Sequence, residues 1–268
     1  MITHENALEI LNCEDYGLGK EFFKDFNVYS TFLHSILEKR SVGTVYTNNK
    51  SDPTYLLVCA STAPANLNSP VYLEGKFDQV ILQKIIGFLK NLPKAAVVVP
   101  RDWMHKMHFE GAGFKPVERL QLRRPNRFFE SEPWVDALPE QFSISEINHG
   151  NFAQCNWGQY ALSIYGDKER FFQNALAICL LDQGNIACES YGYIANGQAE
   201  MGVITDPKYR GQNLGTILCA ILLDYCYQNN LEPIWNCDAH NTASAAIAKK
   251  LGFVEERTYL ALKWVSQP

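Results

Sequence analysis

The sequence lacks the features that would send a protein out of the cytoplasm or into a membrane. Its first residues, Met1 to Asn6, form no basic segment and precede no apolar stretch, so we expect no signal peptide. Its longest apolar runs, such as Ala95 to Pro100, are far shorter than the roughly 20 residues that span a bilayer. The eight cysteines form no C-x-x-C pair, which indicates buried free thiols rather than disulfides or zinc ligands. We therefore expect a cytoplasmic protein that binds neither a membrane nor a metal.

The chain also lacks an excess of positive charge. Its 268 residues include 24 Lys and Arg against 29 Asp and Glu, which gives a formal net charge of −5. Because phosphate backbones are bound by basic faces, nucleic acid is not expected as a partner. Apolar residues make up 47% of the chain and charged residues 20%, which is typical of a folded globular protein. The length allows one large domain or two domains of ordinary size.

A proline-rich segment divides the chain into two halves. Residues 123–141 contain three prolines and follow neither a helical nor a strand period. We therefore predict an N-terminal domain at residues 1–125, a connector at 126–141 and a C-terminal domain at 142–268.

The two halves end in the same order of elements. Each has an amphipathic run, then a short apolar strand, then a Gly-Phe pair that leads into a further strand. The helical runs are Gln79–Asn91 and Leu214–Gln228, and the Gly-Phe pairs are Gly113-Phe114 and Gly252-Phe253. We interpret this order as a duplicated domain. Coincidence between two α/β domains stays open as the alternative.

A glycine-bearing loop joins the last predicted strand of the C-terminal half to its main helix. The strand candidates 175–181, 186–195 and 199–205 read as an antiparallel meander, and the loop follows the third. A helix N-terminus offers free N–H groups and a positive dipole end, which together favour an anion. Gly211 and Gly215 allow close approach of a phosphate, and Arg210 adds a charge. The loop matches neither G-x-G-x-x-G nor a Walker sequence, which disfavours nicotinamide and ATP sites.

Two segments of the C-terminal half resemble GNAT N-acetyltransferases. The run Val203-x-x-Asp206-Pro207-x-Tyr209-Arg210-Gly211-x-x-Leu214-Gly215 resembles the pyrophosphate-binding motif of that family. The run Asn241-x-x-Ser244-x(6)-Leu251-Gly252-Phe253 resembles its closing segment. Residues 177–264 are also similar to a subgroup that includes zwittermicin A resistance acetyltransferases. The resemblance implies an α+β (α/β) architecture, namely a GNAT fold with a mixed central sheet in the C-terminal half, preceded by a degenerate GNAT-like N-terminal domain.

The resemblance also implies acetyl-CoA as co-substrate. Its pantetheine arm would pair with the strand at Val203, Ile204 and Thr205. Its pyrophosphate would rest on the loop and the first helical turn, namely Arg210, Gly211, Gln212, Asn213, Leu214, Gly215 and Thr216. Asn213 stands where the family usually has glycine, and asparagine tolerates a left-handed backbone better than other residues with a side chain. Asn241 and Ser244 would contact the pantetheine arm, with helix capping as their alternative role.

Acyl transfer from a thioester needs a neutral amine, a polarised carbonyl and a proton for the departing thiolate. The resemblance implies that a backbone N–H near Val203 polarises the carbonyl and that Tyr259 supplies the proton. An aromatic side chain that only fills a sheet face is the alternative for Tyr259. For the base we consider Glu200 first, then Glu189 and Asp238, and a salt-bridged surface position is the alternative for Glu200.

These features predict an N-acetyltransferase that transfers an acetyl group to a primary amine of a small molecule, directly and in a ternary complex. A catalytically inactive acyl-CoA-binding sensor or regulatory module stays open, and so does a protein acetyltransferase. The first half has Leu73 to Asp78 at the equivalent of the phosphate loop, with one glycine and two acids. We expect this half to have lost CoA binding and to form a wall of the acceptor pocket or the surface of a homodimer.

Overall fold

The computed structural model describes residues 8–60, 69–99 and 105–265. By their internal contacts they form two compact units, unit 1 with Met1–Arg119 and Thr258–Pro268, and unit 2 with Leu120–Arg257. The first elements along the chain are β1 (Glu9–Ile10), α1 (Gly19–Phe22), α2 (Thr31–Leu37), β2 (Gly43–Thr47), β3 (Tyr55–Ala60), β4 (Ser69–Gly75), α3 (Gln79–Lys90), β5 (Lys94–Val99), α4 (Lys106–Gly111) and β6 (Lys115–Arg123). The chain enters unit 2 within β6.

The later elements belong to unit 2 until the chain returns to unit 1 within the last strand. They are α5 (Glu132–Asp136), β7 (Phe142–Glu146), α6 (Gly158–Tyr165), α7 (Lys168–Asn174), β8 (Ala175–Asp182), β9 (Asn185–Ala195), β10 (Gln198–Thr205), α8 (Leu214–Gln228), β11 (Glu232–Asp238), α9 (Thr242–Lys250) and β12 (Val254–Val265).

Unit 1 is a mixed sheet with strand order β1-β2-β3-β4-β5-β12. The pair β4–β5 is parallel, whereas β1–β2, β2–β3, β3–β4 and β5–β12 pair antiparallel. The predicted helix at residues 79–91 is α3, and its apolar stripe is buried against the sheet, as the period of its apolar residues requires.

Unit 2 is a mixed sheet with strand order β6-β11-β10-β9-β8-β7. The strands β7 to β10 form the predicted antiparallel meander, and β10 pairs parallel to β11. The hairpin between β9 and β10 turns at Asn196 and Gly197, whose φ angles of 51° and 70° fit the Asn-Gly turn expected from the sequence. Most residues of α8 are buried, because this helix is apolar around most of its circumference and lies in the core of the unit.

The order of elements predicted for each half is present in both units. The run β2-β3-β4-α3-β5-α4 repeats as β8-β9-β10-α8-β11-α9, and a strand follows each Gly-Phe pair. The units depart from the predicted boundaries at two places. Unit 2 begins at Leu120, inside the predicted N-terminal domain 1–125. At the end of the chain, residues 258–265 belong to unit 1 rather than to the C-terminal domain. The reason is that Leu260–Val265 of β12 pairs antiparallel with Lys94–Val99 of β5. An alternating strand pattern does not specify a strand's partner, so the sequence could not reveal this.

The predicted connector contains a short helix, α5, whose Trp134 packs against the core of unit 2. The eight cysteines are free thiols, as predicted, and most of them are buried. Burial raises the pKa of the Cys59 and Cys188 thiols to about 12. Within the described ranges, none of the helices combines the length and apolar character needed to span a membrane.

Candidate functional site

Strands β10 and β11 of unit 2 begin as a parallel pair and then part. Their pairing covers Gln198–Glu200 against Glu232–Ile234, whereas β10 continues to Thr205 and β11 to Asp238. The first four residues of β10 are buried, and residues 202–205, beyond the last pair, are partly exposed. Beyond Glu200, β11 therefore leaves this side of β10 to a partner that adds itself as an extended segment, except at the Thr205 carbonyl, which accepts from Arg210 Nε at 3.2 Å.

The loop after β10 leads into α8 in a conformation suited to an anion. Gly211 has a φ of 82°, and among the described residues no atom lies within 4 Å of where its Cβ would be. Asn213 has φ 61° and ψ 10°, the left-handed conformation that we expected this asparagine to tolerate. Since α8 begins at Leu214, the loop delivers its backbone directly to the helix N-terminus.

Asn213, the N-cap residue of α8, makes no side-chain capping hydrogen bond. In contrast, Asp167 accepts a hydrogen bond from Arg170 N at the start of α7, and Asn241 accepts one from Ser244 N at the start of α9. An uncapped first turn keeps N–H groups and the positive end of the helix dipole available to a ligand. Both properties fit the pyrophosphate of a coenzyme A thioester.

Two cationic side chains lie at this loop. Arg210 donates from Nε to the backbone oxygen of Thr205, 3.2 Å away, and thereby ties the loop to the end of β10. Lys250, at the end of α9, donates from Nζ to Asn213 Oδ1 at 3.2 Å. The sequence analysis missed Lys250, because a lysine in the last turn of a helix is also an ordinary partner of that helix's own dipole.

Gly215 packs the start of α8 closely against β10. Its Cβ position would lie 3.3 Å from Thr205 Oγ1 and 3.5 Å from Val203 Cγ2. Thr216 is buried, with 2% of its surface exposed. These two residues therefore position the helix on the strand, and the exposed part of the motif is the loop from Arg210 to Asn213.

Asn241 and Ser244 are occupied with structural contacts of α9. Asn241 is the N-cap residue, and its Oδ1 accepts from Ser244 N at 3.1 Å. Ser244 Oγ accepts from the indole Nε1 of Trp235 at 3.0 Å, and Trp235 in turn packs edge-to-face on Phe253. The capping alternative thus describes Asn241, while Ser244 fastens α9 to β11.

Glu200 lies at the point where the strands part. It is the last β10 residue paired with β11, and only 8% of its surface is exposed, so it is not a surface salt-bridge residue. Its side chain shares a face of the sheet with Gly202, because the two are separated by one residue of β10. The same face carries Tyr191 and Tyr193 of β9, which pair with Gly202 and Glu200 respectively.

A second buried carboxylate, Glu189, lies on this face next to the two tyrosines. Its Oε1 accepts from Asn156 N at 2.6 Å and from Asn156 Nδ2 at 3.1 Å. Its Oε2 accepts from Trp157 N at 3.2 Å and from the Tyr191 hydroxyl at 2.6 Å. Glu189 therefore holds the segment that begins α6, and because its oxygens accept all four of these hydrogen bonds it is poorly suited to act as a base.

Aromatic rings from α6 and its N-cap cover the same face. Trp157 stacks on Tyr191 with centroids 5.7 Å apart, and Tyr160 and Tyr165 contact Tyr193. Burial, followed by the nearby Glu189 charge, raises the pKa of Tyr191 well above its usual value. The face thus combines neutral phenols, two carboxylates and aromatic rings, and these groups attract a cation.

Tyr259 belongs to unit 1, whereas the loop and Glu200 belong to unit 2. The tyrosine is 4% exposed in an apolar cluster of unit 1, and its hydroxyl accepts from Arg119 Nε at 2.9 Å. These surroundings fit the alternative role stated for Tyr259, an aromatic side chain that fills a sheet face. Asp238, the third candidate base, lies at the end of β11, 4.0 Å from the exposed His240.

The equivalent turn of unit 1 is closed to an anion by its own acids. Asp78 caps α3 by accepting from Ile81 N at 2.9 Å, and Glu74 accepts from Gly75 N at 3.0 Å. Burial raises the pKa of Glu74. The helix N-terminus that could bind a phosphate is therefore occupied in unit 1 and open in unit 2.

Unit 2 also has a cleft of about 330 Å³ beside β6, lined by Arg123, Arg124 and Arg127. Arg123 is paired with Glu232, and Arg124 donates to the backbone oxygen of Leu251 at 2.8 Å. These contacts account structurally for two of the three charges. Within the described residues there is no group of three or more potential metal ligands.

Comparisons with known proteins cover nearly the whole chain. A family model described as GNAT acetyltransferase matches residues 20–262. The uncharacterized N-acetyltransferase YdfB of Bacillus subtilis (strain 168) is 21% identical in an alignment of length 262 that covers 92% of this chain and 95% of that protein.

Solved structures resemble the fold over similar lengths. A GCN5-related N-acetyltransferase-like protein from Streptococcus suis 89/1591 has a TM-score of 0.75 at 22% identity, covering 94% of this chain and 98% of that one. A tandem GNAT protein from the clavulanic acid biosynthesis pathway has a TM-score of 0.64 at 12% identity, covering 97% and 99%. These likenesses confirm the predicted GNAT fold with its mixed sheet.

Proposed function

The chain belongs to the GNAT acetyltransferase family, and from this premise we propose that it transfers an acetyl group from acetyl-CoA to a primary amine of a small molecule, by direct transfer in a ternary complex. The observation that carries the proposal is the parting of β10 from β11 at Glu200, followed by an open loop and an uncapped helix. This arrangement supports donor binding in unit 2.

The pantetheine arm is proposed to pair with the free side of β10 at Val203, Ile204 and Thr205. An extended amide-bearing chain can take up the backbone hydrogen bonds that β11 leaves open beyond Ile234. The pyrophosphate is proposed to rest on the loop from Arg210 to Leu214. Lys250 then adds a second positive charge beside Asn213.

Glu200 is proposed as the group that removes the proton from the amine. It is buried at the point where the strands part, and a carboxylate in such a place can exchange a proton with a bound amine. A backbone N–H near Val203 is proposed to polarise the thioester carbonyl. Tyr259 stays a prediction for the acid, and its bond to Arg119 in unit 1 supports the structural alternative.

A small cationic acceptor is supported by the face that carries Glu200. Aromatic rings at Trp157, Tyr160 and Tyr193 surround this face, and π faces together with carboxylates attract ammonium groups. Amines of antibiotic type belong in a screen, because residues 177–264 resemble zwittermicin A resistance acetyltransferases. The cytoplasmic location and a homodimer remain predictions.

Donor binding is tested by titration calorimetry with acetyl-CoA. The variant is Gln212→Glu, which places a negative charge in the exposed loop without adding bulk against β10, as a change at Gly215 would. We expect acetyl-CoA binding to weaken by about tenfold or more, since the new charge faces a pyrophosphate. Gln141→Glu adds the same charge at an exposed position outside the helices and strands and should leave the affinity unchanged.

If wild-type protein does not bind acetyl-CoA, the donor site and the enzymatic proposal are both wrong. If Gln141→Glu weakens binding as much as Gln212→Glu, the loop is not where the phosphates lie. Release of free CoA thiol with an amine panel distinguishes a transferase from a sensor that binds the thioester without turnover.

A further inference from the structure

Trp157 lies directly on the backbone of the strand proposed to bind the donor. A Cβ added to Gly202 would lie 2.9 Å from Trp157 Cζ3, closer than real Cβ atoms approach other atoms. Glycine at position 202 is therefore what lets the indole ring lie on β10. Trp157 is itself only partly buried, in contrast to the fully buried Tyr191 behind it.

The ring of Trp157 is held in place from two further directions. It stacks on the fully buried Tyr191 with an interplanar angle of 29°. Its own backbone N–H donates to Glu189 Oε2 at 3.2 Å, which fixes the residue where α6 begins. A ring restrained in this way forms a rigid wall rather than a mobile flap.

This wall lies beside the proposed reacting end of the donor. Gly202 immediately precedes Val203, and it follows Glu200, the point where the strands part, by two positions. The ring contacts the sheet face that Glu200 shares, so an acyl chain that extends along this face beyond the thioester would meet the indole.

We infer that Trp157 determines acyl-chain length and restricts the protein to short acyl groups such as acetyl. The inference rests on the proposed donor site in unit 2 and adds to it the side chain that sets its size limit. Such a wall would distinguish acyl-CoA thioesters by the length of the acyl chain, because the indole fills the space that a longer chain needs. A difference of a few methylenes in an apolar pocket changes the affinity for the ligand by about tenfold or more.

The test compares binding of free CoA, acetyl-CoA and hexanoyl-CoA by calorimetry, which needs no acceptor. Wild type should bind acetyl-CoA about tenfold or more tightly than hexanoyl-CoA. Trp157→Ala should remove or invert that preference while free CoA binds within about twofold of wild type. Trp157→Phe, which keeps a smaller ring, should give an intermediate preference. Trp134→Ala removes a partly buried indole from α5 and should leave the preference unchanged.

The outcomes separate this inference from the proposed function. If free CoA binds all variants and the acetyl preference is the same in Trp157→Ala as in wild type, Trp157 is not the limit and the donor site stands. If wild type binds neither free CoA nor acetyl-CoA, both proposals are overturned. A preference lost equally in Trp134→Ala would assign the effect to general loosening of unit 2 and would also overturn the inference.

Discussion

Replacing Glu189 by alanine should destabilise unit 2 more than the loss of any exposed charge would. Four hydrogen bonds end on this fully buried carboxylate, from Asn156 N, Asn156 Nδ2, Trp157 N and the Tyr191 hydroxyl. The exposed Asn156 amide can turn to water, whereas the Tyr191 hydroxyl and the two backbone groups cannot do so freely. A buried group left unsatisfied costs about 1–3 kcal/mol. We therefore expect a loss of roughly 3–5 kcal/mol in the free energy of unfolding.

The conservative change Glu189→Gln should cost less. The glutamine Oε1 can still accept both bonds from Asn156, and the Tyr191 hydroxyl can turn to accept from Nε2. The Trp157 N–H, however, would face another donor. The expected loss is about 1–3 kcal/mol. Glu146→Ala, at an exposed position of β7, serves as the control and should change stability by less than about 0.5 kcal/mol.

The assay combines urea unfolding with amide hydrogen exchange at residues 156 and 157. In the wild type these two amides are bonded to Glu189 and should exchange slowly, and in Glu189→Ala they should exchange far faster than the amides of β8 and β9. A loss below about 1 kcal/mol, or unchanged exchange at both amides, would refute the assigned role of Glu189.

Two further changes test individual site residues. Lys250→Ala should weaken CoA binding by about threefold to tenfold, because it removes a positive charge beside the phosphate loop. The control is Lys249→Ala, which should leave the CoA affinity unchanged, because Lys249 is ion-paired to Glu255. Equal affinities of the two variants in calorimetry would contradict the role given to Lys250. Tyr259→Phe should lower the free energy of unfolding by about 1 kcal/mol, because the hydrogen bond from Arg119 is lost, and should leave the acetyl-CoA affinity unchanged. A fall in turnover of roughly a hundredfold would instead establish Tyr259 as the catalytic acid.

Local patterns in the sequence predicted most of unit 2. The helix at 214–228, the strands of the meander and the Asn196-Gly197 turn all follow from period and turn chemistry, which act between neighbours in the chain. The left-handed conformation of Asn213 follows for the same reason, since few residues tolerate it. The sequence therefore predicted those features, namely helices, strands and turns, that residues close together in the chain determine.

The residues that the sequence analysis missed owe their roles to partners distant in the chain. Trp157 contacts β10 only because position 202 lacks a Cβ, and nothing in the residues around either position indicates that contact. Lys250 lies 37 positions from Asn213, the residue to which it donates. For Asn241 the sequence could not distinguish two roles, because an asparagine at the start of a helix can either bind a ligand or cap the helix. In the structure it caps α9.

Because the end of β12 pairs with β5 in unit 1, a deletion of the first half cannot reveal what that half does. Deleting residues 1–135 would remove β5, to which β12 pairs through Leu260–Val265. It would also remove the part of β6 that belongs to unit 2. Loss of acetylation in such a deletion would therefore follow from an incomplete unit 2 whatever the first half contributes. Point substitutions on the surface of unit 1, made in the full chain, avoid this problem and are the informative way to ask what that unit does. The turn at Glu74 and Asp78 is not the place for them, because both side chains there already accept backbone hydrogen bonds.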